Sequence, residues 1–290
     1  MAEISAGVVK ALREQTGAGM MDCKKALADA AGDAARAIEI LRERGLAKAV
    51  KRAGREASEG AVAIGIEGAA GALVELRCET DFVAKTPKFQ ELAAELAALA
   101  AKKPELSDAA KLSDASLGGE KVSEKLAGAM STIGENIVLA RVARLDAPAG
   151  GLVGGYVHAG GKLGVLVAIA APQGDAAKAL VKDLAMHVAA ADPSPVSVDR
   201  SGVPADILQK ERELYRRQAE QEGKPAPVIE KIVEGRVRKF YGEIVLTEQP
   251  FVKDPDQTIA KLLEAAAAKL GGPVSISAFL RFKLGEATAA

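Results

Sequence analysis

Through the first 45 residues the apolar positions recur every three or four places, the spacing of helices that bury one face. Ile4, Val8 and Leu12 mark a first helix, stopped by Gly17 and Gly19, and a second runs from about Met21 to Ala30 before Gly32. A third carries Ala34, Ile38 and Leu41 on one face, with Asp33 as its cap and Gly45 as its end. Helices this short bury little, so part of their apolar surface is expected to serve a partner. Residues 46–59 follow as a helical linker. Its Lys48, Lys51, Arg52 and Arg55 form one basic stripe, read either as a solvated face or as a weak attraction to an acidic partner or RNA.

At residue 60 the period drops to two. Val62, Ile64 and Ile66 alternate, Gly68 and Gly71 mark a turn, and Ala72, Val74, Leu76 and Cys78 alternate again, which predicts a hairpin. One helix follows with Phe89, Leu92, Leu96 and Leu99 on a side, and another near Val122, Leu126, Met130 and Ile133. Strands return at Ile137–Leu145, Leu152–His158 and Leu163–Ala170, then a helix from about Asp175 to Ala190. Gly71-Ala72-Leu73 and Gly161-Lys162-Leu163 each open a strand that leads to a Leu/Ala-rich helix. One unit present twice would account for this, and so would chance in a chain this rich in Ala and Leu.

After Pro193 and Pro195 the chain becomes highly charged. Helices over about 204–222 and 226–241 flank Gly223-Lys224-Pro225 and read as a projecting, coiled-coil-like hairpin. Ile207, Leu208, Leu214, Ile229, Ile232 and Val233 are the positions available to pair them. A helix around Ile259–Leu270 and a strand around Val274–Phe282 come last. The expected class is α+β with antiparallel sheets. Its parts are a three-helix module over 1–45, the linker over 46–59, a core subdomain over 60–145, a second core subdomain from 146–199 and 242–290, and the inserted hairpin over 200–241.

Composition narrows the function. The 39 basic and 39 acidic residues balance, and aromatic residues are scarce with no Trp, so neither an electrostatic footprint nor a stacking platform for nucleic acid is expected. No apolar run approaches the ~20 residues that span a bilayer. Met1-Ala2-Glu3-Ile4-Ser5 shows no signal-peptide pattern. Two lone cysteines, Cys23 and Cys78, make no disulfide framework, which fits a reducing cytoplasm.

Covalent chemistry finds no constellation. His158 and His187 are the only histidines, and neither has a Cys, Asp or Glu at metal-ligand spacing. His187 sits in an apolar helix and reads as structural, whereas His158 lies beside a glycine-rich turn, where a contact role or a plain surface histidine both fit. Gly161-Lys162 resembles the end of a P-loop, but Leu163 replaces the Ser/Thr. Gly17-Ala18-Gly19 half-matches a dinucleotide fingerprint, but a helix precedes it and Asp22 replaces the last glycine. Neither motif supports direct nucleotide binding, so no cofactor is expected.

Two stretches are distinctive: Leu12-Arg13-Glu14-Gln15-Thr16-Gly17-Ala18-Gly19-Met20-Met21-Asp22-Cys23-Lys24-Lys25-Ala26-Leu27 and Cys78-Glu79-Thr80-Asp81-Phe82-Val83-Ala84. Both closely resemble signatures of the elongation factor Ts family. Ile133-Gly134-Glu135-Asn136, Met186-His187-Val188-Ala189-Ala190, Val233-Glu234-Gly235-Arg236 and Gln249-Pro250-Phe251 match it as well. The resemblance implies a non-enzymatic guanine nucleotide exchange factor that binds elongation factor Tu, GDP-bound and nucleotide-free, and promotes GDP release so that GTP can bind. It likens the N-terminal module to ubiquitin-associated domains. It places Thr80, Asp81, Phe82 and Val83 at dislocation of the partner's magnesium, and Arg13, Met20, Met21, Ile133, Gly134 and His158 at partner contacts. By residue type alone, Phe82 fits a core plug as well as an exposed wedge, and Met20 and Met21 fit core methionines as well as adaptable contacts. A ribosome- or RNA-associated helical adaptor is the alternative, an enzyme assembled from scattered carboxylates is a third, and a homodimer is left open.

Overall fold

Ser5 and Asp33 open helices with their side chains, accepting from the backbone N–H of Val8 at 3.4 Å and of Arg36 at 3.1 Å. The helices are α1 (Ala6–Thr16), α2 (Met20–Asp29) and α3 (Ala34–Arg52), in a computed structural model that describes residues 4–286. The predicted modules' first three and last four residues lie outside the described residues. Gly17 ends α1 in the left-handed conformation, φ 68°, as its spacing predicts. Val9 and Leu12 are the buried positions of α1 and Ile4 packs beside them, whereas Val8, expected inside, is 44% exposed. They close on Cys23, Ala26, Leu27 and Ala37 in a small core.

Gly45 does not end the third helix. It stays helical in mid-α3 and buried, where an added Cβ would lie 3.4 Å from Ser131 Cβ. A methyl there would make ordinary contact with Ser131 of the later helix, and α3 carries the chain unbroken from the N-terminal core to the next unit.

That unit is a sheet of β1 (Glu59–Glu67), β2 (Ala70–Cys78) and β5 (Val138–Asp146), antiparallel in the order β1-β2-β5. Between β2 and β5 come α4 (Asp81–Ala84), α5 (Pro87–Lys102), α6 (Ala109–Asp114), the small pair β3 (Ser116–Leu117) and β4 (Glu120–Lys121), and α7 (Val122–Ile133). Ala72, Val74, Leu76 and Cys78 face Phe89, Leu96 and their neighbours on α5. Gly65 allows the close approach of strand to helix, since a Cβ there would sit 2.2 Å from the Ala97 carbonyl oxygen.

The second sheet is β6 (Leu152–Val157), β7 (Leu163–Ala170) and β10 (Ser275–Lys283), in the order β10-β7-β6. Its helices are α8 (Asp175–Ala190) and α11 (Ile259–Leu270), the latter entered through the short pair β8 (Pro250–Phe251) and β9 (Asp254–Thr258). Each unit runs strand, strand, helix, and later a third strand antiparallel to the second. The faint sequence repeat is thus a repeat of topology.

The sheets meet face to face over Val62, Leu73, Leu145, Val153, Leu166 and Phe282. Strand β2 is therefore covered on both sides and loses the half-exposed alternation expected of it. Glu75 lies wholly buried on that inner face, which would be costly without partners. Arg141 and Arg77 supply the charge and Gly285 N–H a hydrogen bond at 3.3 Å, while Arg141 also donates to the Lys283 carbonyl at 2.7 Å. The pair pins the end of β10 to the first sheet.

The helices α9 (Ala205–Gln221) and α10 (Ala226–Ile244) pair through Tyr215, Ala219, Ile229, Val233 and Val237. Leu214, an expected pairing position, is 39% exposed. Helix α10 runs past residue 241, because its last turn seats Ile244 and Val245 against Val203, Leu208 and Phe240. Among the described residues no helix is long and apolar enough to cross a membrane.

Candidate partner-binding face around Phe82

Strand β2 ends at Cys78, and the chain turns at once into the single turn of α4. Thr80 is its N-cap, extended in backbone and accepting from Val83 N–H at 3.4 Å. Val83 and Ala84 turn inward onto the core. Phe82, on the opposite side, is 79% exposed, which excludes the core-plug reading. A Phe held in water on a rigid corner forgoes about 1.5–3 kcal/mol of burial. That makes it a ready anchor for another molecule.

The corner is fixed from behind. Glu135 accepts from the backbone N–H of Glu79 at 3.1 Å and of Thr80 at 3.0 Å, and from the Thr80 hydroxyl at 2.6 Å. Glu79 reciprocates by accepting from Asn136 N–H at 2.7 Å, and Arg55 lies 3.6 Å from the same carboxylate. Cys78 donates to the Thr80 carbonyl, at 3.2 Å. Burial, and then the Glu135 charge, push its thiol up to about 12, so it is inert at neutral pH.

In front, Asp81 Oδ2 lies 2.7 Å from Lys85 Nζ, and that hydrogen bond holds its carboxyl below the usual carboxylate range. Lys162 adds to the lowering. Lys162 belongs to the His158 loop, pairs with Glu59 at 2.8 Å, and follows Gly161, whose carbonyl accepts from Val62 N–H at 2.7 Å. Lys162 thus comes within electrostatic reach of Asp81, while the exposed His158, with Tyr156 OH 3.1 Å from its Nδ1, lines a cleft with Met186, Ala189 and Val252.

The α1–α2 corner abuts the same region. A methyl on Gly17 would sit 3.5 Å from Thr132 Cγ2 and 3.9 Å from Lys88 Nζ, next to the last turn of α7 and the start of α5. Met20 and Met21, just beyond it, are 44% and 63% exposed, so neither is a core methionine. Arg13 is exposed on α1. Ile133 differs: it is half-buried and packs on the first core, and Gly134 after it caps α7 with φ 94°. These two lie at the foot of the Glu135 segment.

The basic stripe is largely consumed within the chain. Lys48 pairs with Asp22 at 2.9 Å, Arg52 donates to the Met130 carbonyl at 2.6 Å, and Arg55 faces Glu79. Through Arg52 and Arg55 it ties α3 to the first sheet unit, so the stripe is not a free basic face. Among the described residues no three His, Cys, Asp or Glu side chains gather as metal ligands. The residues that reading by sequence missed are Glu79, Glu135, Lys85 and Lys162. Glu135 was visible only as part of a matched motif, since an isolated glutamate reads as surface.

A family model described as Elongation factor TS matches residues 79–286. The chain belongs to the elongation factor Ts family. It is 50% identical to elongation factor Ts of Maricaulis maris over 295 aligned residues, covering 99% of this chain and 93% of that one. It is likewise 50% identical to elongation factor Ts of Rhodospirillum rubrum, covering 99% and 94%. To that of Nautilia profundicola it is 45% identical, again over 99% and 94%. Membership makes it a nucleotide exchange factor of translation elongation, which works by binding and not by covalent catalysis. His187 is buried and hydrogen-bonded at 3.0 Å to Gln249, a structural role.

Proposed function

We propose that this chain opens the nucleotide site of elongation factor Tu by inserting the Asp81-Phe82 corner beside the partner's magnesium. As an elongation factor Ts it is an exchange factor for elongation factor Tu in translation elongation: it binds the GDP form, GDP leaves, and GTP can enter. The observation that carries the mechanism is the 79% exposure of Phe82 on a corner held by a carboxylate from another element. Accelerating release a thousandfold requires about 4 kcal/mol of barrier lowering. Burying Phe82 supplies roughly half of it at about 1.5–3 kcal/mol. Asp81 contributes a charge or hydrogen-bond acceptor that competes for the magnesium and its water.

The remaining contacts divide along the chain. The module over 1–45 grips the partner's nucleotide domain through Arg13, Met20 and Met21, and the unit over 60–145 presents Thr80–Val83, with Ile133 and Gly134 behind it. The second unit, 146–199 with 242–290, reaches the partner's far domain through His158. The hairpin over 200–241 stands apart from this face, and the setting is the cytoplasm. Release of a fluorescent GDP from purified elongation factor Tu, with and without this chain, tests the activity. Absence of acceleration would refute it.

A further inference from the structure

We propose that Glu135 is a positioning residue for exchange: it sets the direction in which Phe82 is presented. The inference rests on the wedge reading above. Its ground is geometric. One carboxylate, delivered from the segment after Gly134, takes three hydrogen bonds from two consecutive residues at the root of α4, at 3.1, 3.0 and 2.6 Å. The third comes from the Thr80 hydroxyl, whose oxygen also caps the helix by accepting from Val83 N–H. Helix α4 has four residues, too few to hold itself together by its own ladder, so its direction is set by what holds its first turn.

A carboxylate is suited to this because it accepts only, and two oxygens satisfy three donors without rotating away. Glu79 performs the reverse service for Asn136 N–H, so the end of β2 and the approach to β5 lock one another. Phe82 itself makes no part of this lock. Loosening Glu135 leaves Phe82 in place as a chemical group and lets it point elsewhere, which spoils a wedge more than it spoils a sticky patch.

The test compares Glu135→Ala, Glu135→Gln and Phe82→Ala, alone and combined, by stopped-flow release of fluorescent GDP over a range of factor concentrations. Glu135→Ala is expected to lower the plateau release rate about tenfold while the half-saturating concentration moves less than about threefold. Glu135→Gln keeps an acceptor oxygen for the two amides, and its NH2 can meet the Thr80 hydroxyl, so it should recover most of the rate. In the Phe82→Ala background, Glu135→Ala should cost less than about twofold more, because a missing wedge cannot be mis-aimed. A wild-type plateau for Glu135→Ala, or defects that multiply in the double variant, would overturn the proposal.

Should Glu135→Ala not fold, Glu135→Asp decides instead. Its side chain is one methylene short of spanning the three donors, and a wild-type plateau there would overturn the proposal equally. Phe82→Ala alone keeps the two ideas separable. If it releases GDP at the wild-type rate, the wedge reading fails; if it is slow while the Glu135 variants are normal, only the positioning role fails.

Discussion

Asp81 and Lys85 face each other at 2.7 Å across one helical turn, and Phe82 rises next to them uncovered. The pair is exposed, so in water it adds little stability. Its effect is on the charge that the corner presents. Because the folded-state pKa of Asp81 is lowered, the carboxylate is charged above the ordinary carboxylate range and loses its charge only as pH falls through the lowered value. The ratio of GDP release rates, wild type over Asp81→Asn, should therefore stay constant from pH 8 to about 5. A ratio that declines between pH 7 and 6 would show that another group controls the Asp81 contribution. The Asp81→Asn defect itself should be smaller than that of Phe82→Ala.

Met20 and Met21 bear on the grip rather than on the wedge. Both are exposed while Cys23, Ala26 and Leu27 of the same helix are buried, so the double change to Ala removes contact surface and leaves the core intact. Affinity for nucleotide-free partner should fall about tenfold or more. The melting temperature should hold within about 2 °C. Lost stability with unchanged affinity per folded molecule would reassign them to the fold.

His187 reports on the join between α8 and the segment after α10. Its Nδ1 accepts from Val252 N–H at 3.3 Å, so Nε2 carries the proton toward Gln249, whose amide donates to the Pro193 and Glu243 carbonyls. The ring is neutral, and burial lowers its pKa. The unfolded chain then binds the extra proton first: stability is full above about pH 6.5 and declines as pH falls, by at most ~1.4 kcal/mol per unit. Urea midpoints at pH 7.5 and 5.5 should show this decline, and His187→Gln should reduce it. An unchanged slope in His187→Gln would place the titration elsewhere.

The hairpin is separable if it is cut at the right place. Val203, Leu208, Phe240, Tyr241, Ile244 and Val245 form the base cluster, so removal of 200–241 would strip the second sheet unit of packing. Replacing 210–238 by a short linker spares that cluster. It should leave a folded protein with most of its exchange activity, measured by GDP release and circular dichroism. A folded variant with no exchange would make the hairpin part of the working face.

How much of this could be read from the chain follows from which forces were local. Helices Asp175–Ala190 and Ile259–Leu270 and strand Leu163–Ala170 stand where periodicity and caps put them, because an apolar period and a stop signal lie within one segment. Gly45 misled because a glycine stops a helix only when φ turns positive, and Gly45 keeps helical backbone within α3. The short pairs Ser116–Leu117 with Glu120–Lys121 and Pro250–Phe251 with Asp254–Thr258 are too brief to carry a period. At the site, the motif located Asp81 and Phe82, but exposure is a property of the whole fold, and by residue type a core plug is the commoner fate of a lone aromatic. Glu75 and Glu135 were hidden for the same reason: Arg141 lies 66 residues from Glu75, and Thr80 lies 55 from Glu135.

The central claim is that Phe82 drives release and does more than hold the partner. The measurement is the plateau rate of fluorescent GDP release from elongation factor Tu by Phe82→Ala, beside its affinity for the nucleotide-free partner. Loss of about 1.5–3 kcal/mol of burial realised in the transition state for release predicts a plateau lower by roughly 10- to 150-fold. Affinity for nucleotide-free partner should fall by less, and magnesium should antagonise binding of the variant less than it antagonises the wild type, since the coupling is reciprocal. A folded Phe82→Ala protein that releases GDP at the wild-type rate would contradict the account.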